Sequence, residues 1–195
     1  MVTRLVPVLV ACLLACSSCS RRDAAMSPEQ ENQILALVLA QPLPDGGYTV
    51  VRPRTTLSPL DLKELKGSRD AVRQGIKIEG YDVGKLFDLL MARNREPFQL
   101  TLESSPKDGY VIDYDGKYSN YFANGGGGWE KWRQENPQAH GMTSISRPAY
   151  DPETGVVLIY MGTQADWLAG TGGIVAFRYR DGALTRIGQV MLWIS

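Results

Sequence analysis

The chain carries a single imidazole, His140, so any histidine-based acid–base or nucleophilic mechanism must run through it. Two hydroxyls, Ser144 and Ser146, follow closely, and Asp166 sits on a later segment able to bring a carboxylate toward the ring. Acyl transfer wants its serine on a strained, glycine-flanked turn between a strand and a helix. Neither serine has that setting, and Ser144 falls in the middle of a strand pattern. A second acid–base option is a carboxylate pair drawn from Glu103, Asp113, Glu130 and Asp166. Glycoside hydrolysis sets such a pair roughly 5–9.5 Å apart, a separation that only the fold can supply. His140 and Asp166 are thus the catalytic candidates, and no motif marks either.

Two further patterns resolve into turns and connectors. The glycines at 125–128 precede a helical stretch, as in a phosphate loop, but Trp129 stands where the loop would need its lysine. The run reads as a connector. Asp113, Asp115 and Gly116 imitate the start of a calcium loop, yet the glycine comes fourth instead of sixth and the closing glutamate is missing. A hairpin turn accounts for them. All three cysteines, Cys12, Cys16 and Cys19, lie at the extreme N-terminus. The body therefore has no thiol nucleophile, thiolate zinc site or internal disulfide, and one histidine cannot build a His-rich metal site. No metal and no cofactor is expected.

What remains is recognition. The stretch 163–173 joins two strong strand patterns and presents Trp167 and Leu168 beside Gly170 and Gly172. It reads as a loop longer than a tight hairpin, and tryptophan is among the residues most enriched at binding hot spots. The competing placement folds Trp167 back over the sheet edge. Arg147, Trp129 and Trp132 complete the candidate binding surface.

These groups need a scaffold, and the last third of the chain supplies the clearest part of it. Strand patterns cover 143–150, 156–161, 174–180 and 183–194, the last two joined by Asp181-Gly182. Asp-Gly between apolar runs is a strong hairpin signal, because both turn positions take positive φ. The run 156–161 is apolar throughout, as in a central strand covered on both faces. Upstream, Ser27-Pro28 starts a helix over 28–40 with Ile34, Leu35, Val38 and Leu39 on one face. Tyr48 opens a short strand over 48–52. Ser58-Pro59 starts a short helix over 60–66 that Gly67 ends, with another turn or two over 68–74. Asp82 caps a third over 83–94, and Trp129 opens a fourth over 129–136, stopped by Pro137. Strands are expected over 98–103, 110–114 and 117–122, the last pair joined by Asp115-Gly116. The sum is an α+β fold, with N-terminal helices packed on a mainly antiparallel meander sheet that keeps its other face wet.

At 195 residues the chain is one domain with a tail, large enough to bury its own core. Basic and acidic residues balance at 21 each. That balance excludes nucleic acid as a partner, since a basic stripe supplies most of such affinity, and strong adhesion to anionic lipid as well.

The N-terminus reads as an address. A basic start with Arg4 leads into an apolar run over 5–15, about 16 Å as helix at roughly 1.5 Å per residue. A bilayer core is about 30 Å thick, so the run is a signal-peptide core and not a span. It ends in Leu13-Leu14-Ala15-Cys16, which resembles the lipobox of bacterial lipoproteins. The resemblance implies cleavage before Cys16, a diacylglycerol on its sulfur and an acylated amine, with Cys12 as the second choice. Residues 1–15 are then the signal peptide, 16–27 a lipid-anchored tether and 28–195 the α+β domain. Ser17, where an aspartate would imply inner-membrane retention, implies the periplasmic face of an outer membrane.

The C-terminal part, Trp129 to Trp193, resembles a group of uncharacterised bacterial envelope proteins. The likeness rests on the Trp129/Trp132 helix ahead of Ser146-Arg147-Pro148, on the apolar strand and on the Asp-Gly hairpin. The chain departs from that group in carrying Leu184, where many members have tryptophan. The likeness implies the meander and no activity. The function expected is a lipid-anchored cell-envelope binding module, partnered with the membrane through its lipid and with an envelope protein or glycan. The alternatives are an envelope hydrolase using His140 or a carboxylate pair, and a scaffold joined through its sheet edge.

Overall fold

A computed structural model of the chain describes residues 26–43, 45–56, 62–123, 125 and 127–195, with 62–67 described by backbone alone. Cys12, Cys16, Cys19, most of the tether and the Ser58-Pro59 helix start lie outside the described residues.

Local chemistry fixes the helices. Helix α1 (Pro28–Leu39) begins where the Ser27 hydroxyl accepts from the Gln30 amide at 3.2 Å, with proline in the first turn. Helix α2 (Leu62–Gly75) is a single helix that runs through Gly67, where a stop was expected. A mid-helix glycine costs only about 1 kcal/mol, and the buried Val72 and Ile76 anchor this helix on the sheet. In α3 (Val83–Arg93) the Asp82 carboxylate accepts from the Gly84 amide. Helix α4 (Gly128–Glu135) ends at Asn136, just ahead of Pro137.

Seven strands form one mixed sheet among the described residues: β1 (Tyr48–Val51), β2 (Tyr110–Ile112), β3 (Ala139–Ile145), β4 (Ala149–Asp151), β5 (Val156–Asp166), β6 (Ala169–Arg180) and β7 (Ala183–Ile194). Their order is β2-β1-β3-β5-β6-β7, with β4 also paired to β5. The fold is α+β, and the sheet is antiparallel from β3 to β7. Only β1 pairs in parallel, with β2 on one side and β3 on the other.

The sheet is covered on both sides, which corrects the expectation of one wet face. Alternation along β5 sends Leu158 and Tyr160 toward α2 and α3, and Val157 and Ile159 toward α1. A third cluster, Tyr48, Val50, Trp129, Trp132 and Met142, sits under α4.

Three strand expectations change. The pattern over 143–150 breaks into β3 and β4, because Pro148 has no amide to continue a ladder. Across the break the Ser146 amide donates to the Tyr160 carbonyl at 3.0 Å, and the Ser146 hydroxyl accepts from the Tyr160 amide at 2.9 Å. The segment 98–103 keeps its inward Leu100 and Leu102 but forms only an isolated bridge at Gln99. Residues 117–122 are not a strand, because the Asp113 carboxylate gathers the amides of Tyr118 and Ser119, at 2.9 and 2.8 Å, and the Ser119 hydroxyl. Those bonds wind the chain into a 3-10 turn over Ser119–Phe122. Asp113→Ala strands all three donors and is expected to cost about 2–3 kcal/mol, read as a lower urea midpoint with an unchanged m-value.

Candidate ligand groove

The stretch read as a loop over 163–173 is the end of a long hairpin. Strands β5 and β6 stay paired through Thr163↔Thr171 and Gln164↔Gly170 to Asp166↔Ala169, leaving Trp167 and Leu168 as a two-residue tip. They are 68% and 85% exposed. The Trp167 ring lies within contact range of Gly128, whose added Cβ would stand 3.5 Å from it. Arg133 of α4 also reaches the hairpin, with Nη1 2.6 Å from Asp166 Oδ2. That donor, followed by the Trp167 amide, holds the Asp166 carboxyl below the usual range.

Gly162, Gly170 and Gly172 are not hinges. All three lie on the α2/α3 side of the sheet, where a Cβ would collide with Trp193 of β7. A Cβ would stand 2.1 Å from Nε1 at Gly172, 2.9 Å from Cζ3 at Gly170 and, at Gly162, 3.0 Å from Cζ2 behind a closer clash of 2.7 Å with the Tyr160 hydroxyl. The three missing side chains make a trough in which the indole lies along the sheet. Its Nε1 donates to the Tyr160 hydroxyl at 3.0 Å. Burial pushes the Tyr160 hydroxyl above its ordinary value, against the lowering effect of the Trp193 bond, so it stays neutral.

Beside Trp193 the same face opens into a cavity of about 440 Å³. Across the strands its lining runs from Arg52 and Arg54, following β1, through Ser144 of β3 and Gln164 of β5 to the indole. Arg52 and Arg54 flank the bend at Pro53, and both line the cavity. Neither arginine, nor the side chain of Ser144 or Gln164, has a hydrogen-bond or ion-pair partner among the described residues. No carboxylate stands among the described lining residues. The site is cationic at one end, neutral and polar in the middle, and aromatic at the other.

The remaining candidates disperse. His140 of β3 gives its Nε2 to the Gly46 carbonyl. Ser144 is four residues along the same strand, roughly 13 Å away at about 3.3 Å per residue, and the Ser146 hydroxyl is committed to the Tyr160 amide. His140 and Asp166 each face a different partner, the Gly46 carbonyl for the ring and Arg133 for the carboxylate. Asp113 follows β2, three strand spacings from β5, or about 14 Å at roughly 4.8 Å each, so with Asp166 it exceeds the glycosidase separations.

Trp129 and Trp132 are core residues, 4% and 1% exposed, stacked edge to face at 5.4 Å, with Phe122 4.4 Å from Trp129. Arg147 is taken up by the buried Glu31: Nε meets Oε1 at 2.7 Å and Nη2 meets Oε2 at 2.8 Å. Its guanidinium also lies over the Phe98 ring at 4.4 Å. These three serve packing in place of the expected surface. Arg52, Arg54, Gln164 and Trp193 were not singled out by the sequence. One signal was available: Gly162, Gly170 and Gly172 interleave with Thr163 and Thr171, a strand-like alternation with a bare face.

No group of three His, Cys, Asp or Glu side chains is placed to hold a metal among the described residues. Comparison of the chain with protein-family models, with curated proteins and with solved structures finds no match.

Proposed function

We propose that the protein is a lipid-anchored cell-envelope binding module whose ligand sits in the groove between Arg52 and Trp193. The observation that carries this reading is the convergence of four unpartnered polar side chains on one open cavity beside a fixed indole. A cavity of about 440 Å³ falls within the roughly 300–1,000 Å³ of small-molecule sites. The envelope address rests on the Cys16 lipobox, and no described helix is long and apolar enough to cross a membrane.

The geometry supports a division of labour between anchor and groove. Gln33, in the second turn of α1, accepts from the Tyr179 hydroxyl at 2.8 Å, beside the β6–β7 turn. Gly172, under the indole, is seven residues away along β6, about 23 Å at roughly 3.3 Å per residue. The place where α1 meets β6 is thus about 23 Å along that strand from the groove.

Two measurements test the reading. Cys16→Ser is expected to abolish incorporation of labelled fatty acid, and retained label removes the anchor from that cysteine. The full chain in detergent micelles is then heated with solubilised carbohydrate and protein fractions of the envelope. A fraction that raises the Tm of the wild type, and leaves Ser144→Trp unmoved because the indole fills the groove, supports the reading; His140→Ala should respond like the wild type. If no fraction moves the wild-type Tm, binding at the groove is refuted.

A further inference from the structure

We infer that the groove takes an acidic saccharide, with a carboxylate held by Arg52 and Arg54 and a sugar ring laid on the Trp193 indole. The inference rests on the binding reading and names the ligand class for it.

The charge comes first. Two guanidinium groups without a carboxylate partner border one cavity that has no acidic side chain in its described lining. Both arginines are exposed to solvent, and no described carboxylate of the cavity competes with an entering anion for them. Arginine presents a planar fork that matches a carboxylate through two parallel hydrogen bonds.

The opposite end asks for something flat and only partly apolar. Trp193 is pinned by its bond to Tyr160 and by the glycine trough, so its ring is preorganised and loses little freedom on binding. A pyranose offers such a surface on the face where its C–H bonds point the same way. Between the two ends lie the Ser144 hydroxyl and the Gln164 amide, neutral donors and acceptors suited to sugar hydroxyls.

Length agrees with this order. Arg52 follows β1, and the indole reaches back from β7 over Gly162 of β5. From β1 to β5 is two strand spacings, about 10 Å at roughly 4.8 Å each, the reach of two linked rings. A bare phosphate would satisfy the arginines and leave the indole and Gln164 unused. An acidic peptide would meet the arginines but has no flat ring for the indole unless it carries an aromatic residue.

The test is calorimetric titration of the full chain in micelles with four probes: digalacturonate, uncharged galactobiose, triglutamate and adenosine monophosphate. Digalacturonate is expected to bind at least tenfold more tightly than galactobiose, and less tightly as salt rises. Arg52→Gln and Arg54→Gln should each weaken it about five- to tenfold. Trp193→Phe should stay within about threefold of wild type, whereas Trp193→Leu, which fills space without a flat ring, should lose more than tenfold. Absence of digalacturonate binding, equal affinity for galactobiose, indifference to both arginine changes, or tighter binding of triglutamate or adenosine monophosphate overturns the assignment. If the assignment is overturned while an envelope fraction still raises the Tm of wild type but not of Ser144→Trp, the groove binds a ligand of another class. If the fraction effect is absent as well, the binding reading falls with it.

Discussion

Glu31→Gln should lower the unfolding free energy by about 3–5 kcal/mol, one of the two largest effects of any single change considered. Glu31 is 4% exposed on α1 and receives three charged hydrogen bonds: two from Arg147, and one from Arg93 Nη2 at 2.6 Å. Those partners come from the bend between β3 and β4 and from the end of α3. The carboxylate therefore joins two helices that cover opposite faces of the sheet. Asn94 braces the same bend, accepting from the Arg147 amide at 2.7 Å and donating to its carbonyl at 2.9 Å. Removing the one anion leaves two half-buried guanidinium groups facing each other, and that uncompensated charge is the main cost. In a domain of this size the loss corresponds to a fall in Tm of roughly 10 °C. Adding Arg147→Met should restore part of it, because the second change removes one of the stranded charges. A double variant that loses the full sum of both singles would show that the two side chains act independently.

The same cluster sets an acid limit. Burial alone would raise the Glu31 carboxyl, but the Arg147 hydrogen bonds and the charges of Arg93 and Arg147 outweigh it and leave the group lowered. The folded chain therefore binds this proton less readily than the unfolded chain, and acid favours unfolding. The contribution is fully present above the ordinary glutamate range, near pH 4.3, and is lost as pH falls through the lower folded value. Urea midpoints measured down to about pH 3 should show wild type and Glu31→Gln converging. A gap that stays constant across that range would mean that the Glu31 charge contributes nothing.

Local structure is legible where a short stretch carries its own physics. Ser27-Pro28 and Asp82 each start the helix their hydroxyl or carboxylate caps, and Asp181-Gly182 takes positive φ at both positions as the hairpin requires. The apolar run of β5 is covered on both sides, as its composition indicates. The misreadings share a cause, since each depends on a partner distant in sequence. Nothing near Glu31 announces two arginines that arrive 62 and 116 residues later. Arg147 looked like a free surface cation, and Trp129 and Trp132 like a displayed pair, for the same reason. The parallel insertion of β1 between β2 and β3 is set by tertiary pairing alone. The groove was the least legible feature, because Arg52, Ser144, Gln164 and Trp193 meet only through strand order. Glycine misled most: Gly170 and Gly172 resemble loop residues until the indole above them is seen.

Gly172→Val should cost about 2–4 kcal/mol, approaching the loss of Glu31 by a different route, and it ties the fold to the groove. A Cβ at this position would stand 2.1 Å from Trp193 Nε1 and 2.3 Å from Cε2, so even alanine forces the indole out of its trough. The glycine borders the irregularity where β6–β7 pairing shifts from Gly172↔Trp193 to Gly173↔Met191, and valine is otherwise favoured in strands, so propensity predicts a small gain where contact geometry predicts a loss. The contacts should prevail. Overpacking of this kind costs about 1–3 kcal/mol, and eviction of the indole also breaks its bond to the Tyr160 hydroxyl, adding roughly 1 kcal/mol. Trp193→Ala in the valine background supplies the control, since deleting the indole removes the clash. The double variant should then be more stable than Gly172→Val alone, while remaining unable to bind at the groove. Near-ultraviolet circular dichroism would follow the tryptophan directly, through loss of its fixed environment in Gly172→Val. A Gly172→Val protein with wild-type Tm and an unchanged aromatic spectrum would mean that the glycine trough does not hold the indole, and the aromatic end of the groove would lose its physical basis.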